Sequence, residues 1–285
     1  MSSTNSERPI LITGCSSGIG LCVARGLQAR GYPVIASARR QSDVERLQAQ
    51  GLTAIRLDLD DPASIADAVT QALDITGGSL YGLFNNGAYG QPGAVEDLSR
   101  AALRQQFETN LFGTVELTNR LIPVMRRQGY GRIVQNSSVL GFVSLPYRGA
   151  YVASKYALEG ITDTLRLELH GTGIQVSLIE PGPIESRFRA NAFAAYQRNI
   201  RKEHSAHRDT YQRMENRLTK QGPAAPFTLP PEAVLKKVVH ALEARRAHAR
   251  YYVTFPTYLF GSLRRLCSTR MLDRVLRRIS RGENR

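Results

Sequence analysis

The 285-residue chain has no run of eighteen apolar residues, so no membrane-spanning helix is expected. Its opening, "MSSTNSERP", lacks the apolar stretch of a secretory signal. The three cysteines, Cys15, Cys22 and Cys267, have neither zinc-site nor disulfide spacing, which points to idle thiols in the reducing cytoplasm. Five histidines without a compact ligand pattern predict no metal. Acidic residues are scarce late in the chain. From 187 to 220 nine Lys or Arg face three acids, and from 264 to 285 eight Arg face two, within a net charge of +14. Solvated helix faces explain such runs. An anionic substrate or an acidic membrane surface are the alternatives, and nucleic acid is set aside because no binding motif accompanies the charge.

What is present is a rhythm. "PILITG", "YPVIASA", "LTAIRLD", "LYGLFNN", "GRIVQNSS" and "IQVSLIEPG" are short, rich in Val, Ile or Leu, and end near Gly, Asn, Ser or Asp, as strands do. Between them lie helical segments, including "LCVARGLQARG", "DVERLQAQG", "PASIADAVTQAL" and one long stretch from 100 to 129, several of which stop at glycine. Alternation with near-continuous apolar strands predicts an α/β fold. It is a single doubly wound (Rossmann) parallel sheet with helices on both faces and ligands beyond the strands' carboxyl ends. The rhythm stops after Gly182. A catalytic domain is expected over 8–255, with a basic helical substrate lid over about 187–225, a helix near 231–246, and a basic amphipathic helical extension over 256–285.

"TGCSSGIG" follows the first strand. Gly14 suits a tight turn, and Gly18 and Gly20 let the backbone approach a pyrophosphate. The helix opening near Ile19 offers free N–H groups to an anion, and Ser16 and Ser17 add hydroxyls. A simple structural turn is the competing reading.

At the end of the second strand Ala38 stands where an acid would hold the adenosine ribose hydroxyls, and Arg39 and Arg40 follow. A guanidinium pairs with a 2′-phosphate that a carboxylate would repel, so NADP(H) is favoured over NAD(H). "YVASKYALEG" sets Tyr151 and Lys155 four apart, on one helix face. A carbonyl that gains a hydride needs a proton. A phenol, with pKa about 10 when unperturbed, is brought toward neutrality by a neighbouring ammonium. Tyr151 is therefore the candidate acid/base, Lys155 its modifier, and a serine at the end of "GRIVQNSS", Ser137 or Ser138, a hydroxyl that can hold the substrate oxygen.

"TGCSSGIG", "LDLDD", "NNGA", "ETNLFGT", "NSS", "YVASKYALEG" and "IEPGPIES", in this order, resemble the short-chain dehydrogenase/reductase family, closely over about 9–185 and loosely beyond. Within it the chain looks like the steroid- and retinol-dehydrogenase branch, in particular its NADP-dependent aldehyde reductases. The resemblance selects Ser138 over Ser137. It makes Lys155 a nicotinamide-ribose ligand and Asn110 a helix-distorting catalytic residue whose carbonyl binds a water contacting the lysine. It puts Asp58 and Leu59 at the adenine, Asn86 and Gly87 beside the cofactor, and Pro181, Gly182, Ile184 and Ser186 at the nicotinamide carboxamide. Two departures stand out. Ala88 occupies the usual glycine place of "NNGA", putting any positive φ there in question, and Ser186 replaces the usual threonine. The implied substrates are lipophilic aldehydes, retinoids or ketosteroids, and the implied assembly is a homodimer. The rival function is an NADP(H)-binding sensor or scaffold without turnover. The arginine-rich C-terminal helix, with aromatics ahead of it, reads as a pocket cap or as a peripheral membrane contact at the inner face of a membrane.

Overall fold

The apolar runs become strands because both faces of each are covered. They are β1 (Ile10–Ile12), β2 (Val34–Ala38), β3 (Thr53–Arg56), β4 (Gly82–Asn85), β5 (Gly131–Asn136) and β6 (Ile174–Glu180). Every residue of β1, β2 and β4 is buried, where each fully covered Ile or Leu contributes roughly 1.5–3 kcal/mol. The structure is a computed structural model that describes residues 5–223 and 225–283; position 224 of the expected lid and 284–285 of the expected extension lie outside the described residues.

The sheet is parallel throughout, in the order β3-β2-β1-β4-β5-β6-β7. The last strand, β7 (Arg250–Tyr252), is absent from the sequence reading, which placed Tyr251 and Tyr252 at the head of the C-terminal aromatic segment. Its side chains alternate. Tyr251 enters the main core and Tyr252 a separate cluster that includes Tyr151.

The helices are α1 (Gly18–Gln28), α2 (Gln41–Ala49), α3 (Pro62–Ile75), α4 (Arg100–Phe107), α5 (Gly113–Gln128), α6 (Gly149–Glu168), α7 (Phe188–Asn199), α8 (Arg208–Thr219), α9 (Glu232–Glu243), α10 (Phe255–Leu266) and α11 (Thr269–Glu283). One core face joins the sheet to Val23 and Leu27 of α1 and Val234, Val238 and Leu242 of α9. The other joins it to Ile65 and Ala68 of α3 and Leu117, Leu121 and Met125 of α5.

Two expected helices are divided. The stretch from 100 to 128 carries a single π-helical turn, Glu108–Phe112, between α4 and α5. The C-terminal helix breaks at Cys267, which has extended backbone. The break takes Leu266 and Met271 off the apolar stripe, leaving them exposed, while Leu272, Leu276 and Ile279 stay against the protein.

Candidate active site

The sheet order reverses at β1, whose neighbours are β2 and β4, and the glycine loop sits at its carboxyl end, where open α/β sheets bind ligands. Gly14 and Gly18 have φ of +71° and +57°, which side chains with a Cβ rarely adopt. A Cβ at Gly20 would lie 2.3 Å from the Gly14 carbonyl oxygen. Ser17 is the N-cap of α1, yet its side chain makes no capping bond, so the helix directs uncapped N–H groups and its positive end into the cleft. A pyrophosphate suits this cradle. Ile19 packs partly buried against the core behind it.

Around the loop, Ala38 is buried at the end of β2, and Arg39 and Arg40 are exposed. Arg40 pairs with Asp43 at 3.1 Å, which leaves Arg39 as the better placed of the two for a phosphate. The sequence reading overlooked Arg46. From α2 it donates to the Ser16 carbonyl at 2.9 Å and to Asp43 at 2.6 Å, bracing the glycine loop. Asp58 accepts from the Asp60 amide at 3.2 Å, a turn role, and Leu59 is buried beside Gly87.

Thr13 ties the loops together. Its hydroxyl accepts from the amides of Asn86 and Gly87 at 2.8 and 2.7 Å. The departure at "NNGA" is absorbed locally. A Cβ at Gly87 would crowd Leu59 at 3.0 Å, and among the described residues only Tyr147 and Phe227 have positive φ without being glycine, so Ala88 needs none.

A hydrogen-bond chain then runs to Lys155. Asn86 donates to the Thr13 carbonyl at 3.1 Å and accepts from the Asn136 side chain at 2.9 Å; the Asn136 carbonyl accepts from the Lys155 ammonium at 2.7 Å. Asn136 is a link that the sequence reading missed, since only its neighbour Ser138 carried a motif. Asn110 sits in the π-helical turn. It accepts from the Tyr89 amide at 3.1 Å and donates to the Tyr89 carbonyl at 3.0 Å and to the Ser154 hydroxyl at 3.1 Å, next to Lys155 on α6.

Lys155 lies 5.8 Å from the centroid of the Tyr151 ring. The expected lowering of the tyrosine does not prevail in this arrangement. Burial pushes the Tyr151 phenol up to about 12, against a hydrogen bond from Ser138. Burial pushes Lys155 down to about 8, against the attraction of Glu159. Tyr151 is thus a neutral phenol at physiological pH, the form that can donate a proton.

Apolar groups wall the space beside Tyr151. Phe188, at the start of α7, stands edge-on to its ring with centroids 5.3 Å apart. Leu140, Phe142 and Val143 follow Ser138, and they form one cluster with Tyr252, with Phe260 and Leu263 of α10, and with Leu272, Leu276 and Ile279 of α11. Arg264 secures α10 by donating to the Phe142 carbonyl and, at 3.0 Å, to the Tyr156 hydroxyl. Helices α7 and α8 close on their own core around fully buried Tyr211, whose hydroxyl bonds Asp97 and accepts from the Ala94 amide at 2.9 Å. Some of the basic lid residues are structural. Arg189 donates to the carbonyls of Arg217 and Lys220 at 3.1 and 2.9 Å, and Lys202 pairs with Glu215 at 2.8 Å.

After β6, the Pro181 carbonyl accepts from the Val139 amide at 2.8 Å, and Ile184 bridges to Leu229. Gly182 has a packing role that motif reading did not foresee, since a Cβ there would stand 2.1 Å from the Thr254 hydroxyl. Ser186 is exposed and faces Gly18 across the cleft, 2.9 Å from where a Cβ would be. Among the described residues no group of three His, Cys, Asp or Glu is placed to hold a metal ion.

The sequence pattern of the short chain dehydrogenases matches residues 8–197, from β1 through most of α7. The chain belongs to the short-chain dehydrogenase family. It is 44% identical over 270 residues to the uncharacterized oxidoreductase YbbO of Escherichia coli, covering 95% of this chain and 94% of that one. It is 39% identical over 197 residues to human retinol dehydrogenase 8, covering 66% of this chain and 62% of that one. A short-chain dehydrogenase of Burkholderia phymatum, solved in complex with NAD, superposes with a TM-score of 0.76 at 25% identity over 91% of this chain and 92% of that one. This short-chain dehydrogenase is therefore an oxidoreductase of the steroid- and retinol-dehydrogenase-like branch, in a family that uses nicotinamide cofactors.

Proposed function

We propose that the protein is an NADPH-dependent carbonyl reductase acting on lipophilic aldehydes, retinoids or ketosteroids. The observation that carries this reading is the convergence of Ser138, Tyr151 and Lys155, with the Lys155 nitrogen 5.8 Å from the Tyr151 ring centroid and Phe188 edge-on to that ring. The chain's residues fit the cofactor. The uncapped start of α1 with Ser16, Ser17, Gly18, Ile19 and Gly20 holds the pyrophosphate, Arg39 the 2′-phosphate, and Asp58 and Leu59 flank the adenine. Lys155 holds the nicotinamide ribose, with Asn86, Gly87, Pro181, Gly182, Ile184 and Ser186 around the nicotinamide.

Bound NADPH supplies a hydride to the carbonyl carbon. Ser138 holds the substrate oxygen as negative charge grows on it, and Tyr151 transfers its hydroxyl proton to that oxygen. Lys155 stabilises the phenolate left behind, and Asn110 fixes the helix turn that faces it. The apolar cluster of Phe142, Val143, Tyr252 and α10–α11 excludes water from the carbonyl.

In this reading residues 8–255 form the catalytic unit, the C-terminal helices cap the pocket, and the enzyme works in the cytoplasm, where its three free thiols stay reduced. Two copies pair through α5 with the π-helical turn before it and through α6, where Phe112 and Ile161 are 51% and 40% exposed beside Val115 and Asn119. The function is tested by following NADPH absorbance against medium-chain aldehydes, retinal and ketosteroids. Turnover of at least one class with NADPH, and little with NADH, is expected; binding of NADPH without turnover of any class would overturn it.

A further inference from the structure

Behind Lys155 lies a buried charge network that the reaction described above does not use. Glu159 is one helical turn beyond Lys155, on the same face of α6, and Glu180 ends β6 with no exposed surface. Arg250 of β7 reaches both. Its guanidinium bonds Glu159, Glu180 at 2.6 Å and Asp163 at 2.6 Å, and Asp163 bonds Arg166 at 2.5 Å. Three carboxylates from two elements, α6 and β6, thus converge on one guanidinium. The groups facing Glu159 are Lys155 and Asp163 from α6, Glu180 from β6, and Arg250 and Tyr252 from β7. Lys155, Arg250 and Arg166 are the cations that face Glu159, Glu180 and Asp163.

A buried cation needs a counter-charge, because removing it from water favours the neutral amine. The only group bonded to the Lys155 ammonium among the described residues is the neutral Asn136 carbonyl. We propose that Glu159, held in place by Arg250, is a positioning residue for the reduction, supplying the negative charge that keeps Lys155 an ammonium beside Tyr151. This rests on the catalytic reading of Tyr151 and Lys155. Burial raises both glutamates, Glu180 to about 8, while Arg250 lowers both. Glu159 opposes the desolvation of Lys155. Gly141 allows the contact from the other side. A Cβ there would meet the Glu159 Cγ at 2.9 Å and the Ser137 hydroxyl at 2.6 Å, so the loop after Ser138 rests on this carboxylate.

The sign of the effect follows. Negative charge favours the protonated forms of both Lys155 and Tyr151, and reduction needs both protons in place. Glu159→Gln keeps the shape and removes the charge. The basic limb of kcat/KM for NADPH-dependent reduction should then move to lower pH by about one unit, the lower end of single-charge effects. Glu159→Asp, which keeps the charge, should restore it. A structural role alone would lower the rate at every pH and leave the limb where it was, and that result would overturn the inference. If Glu159→Gln fails to fold, Glu180→Gln removes from the same guanidinium a charge that develops above about pH 8, in the range of the basic limb, and is held to the same limb, with the same two outcomes. Tyr151→Phe assayed alongside separates the two claims. If it still turns over, the site assignment falls and this inference with it. If it is inactive while the limb of Glu159→Gln is unmoved, this inference alone falls.

Discussion

Lys155 donates to the Asn136 carbonyl at 2.7 Å, and its nitrogen stands 5.8 Å from the centre of the Tyr151 ring. The lysine is thereby fixed to β5, the strand that leads to Ser138. Burial lowers it to about 8, so its ammonium is present below that pH and is lost as pH rises through it. Because reduction needs the ammonium, kcat/KM should be level near pH 7 and fall tenfold per unit well above pH 8. A profile that stays level to pH 10 would contradict this placement of the lysine.

In the proposed function Arg39 carries the cofactor preference. With Arg40 engaged by Asp43, Arg39→Ala should weaken NADPH by about 1.5–3 kcal/mol, the range for hydrogen bonds to charged groups, and leave NADH nearly unchanged. Binding titrations with both nucleotides check this. Equal losses for the two would remove Arg39 from the 2′-phosphate.

The fold was legible where chemistry is local. Strands buried on both faces leave continuous apolar runs, and β1–β6 were read from these. β7 was not, because "RYY" places one tyrosine in each of two clusters and shows no apolar run. The interruption at Glu108–Phe112 is invisible to periodicity, since a single π turn barely changes which residues face inward; only the resemblance around Asn110 pointed to it. Of the site, the glycine loop and the Ser138, Tyr151 and Lys155 set stand within short motifs. Asn136, Arg46 and the Glu159–Glu180–Arg250 network do not. Arg250 is 91 residues from Glu159 and 70 from Glu180, and only the sheet order brings them together.

The helices α5 and α6 should pair with their copies. Light scattering at micromolar concentration is expected to give a dimer, and Phe112→Glu, which puts charge on that exposed ring's position, should shift it toward monomer. A wild-type chain that is monomeric under these conditions would rule out the pairing.

The C-terminal helices are expected to act as the cap. Truncation after Gly261 removes Leu263, Leu272, Leu276 and Ile279 from the cluster that includes Tyr151, so it should lower the melting temperature and abolish most turnover in solution. The exposed Phe255, Tyr258 and Leu259 beside the arginines favour contact with anionic vesicles at low salt, weakening as salt rises. Intact soluble turnover after truncation, with vesicle binding lost, would assign the segment to membranes instead. A full-length protein that ignores such vesicles at low salt would end the membrane contact.

The central claim is tested most directly by the rate of NADPH oxidation by Tyr151→Phe with an aldehyde that the native enzyme reduces, measured together with its affinity for NADPH. The substitution keeps the ring against Phe188 and removes the proton. Turnover should fall by at least the hundredfold typical of losing a general acid, with NADPH affinity nearly unchanged. Lys155→Met, by contrast, should damage both. A Tyr151→Phe enzyme that reduces the aldehyde at a near-native rate would contradict the mechanism.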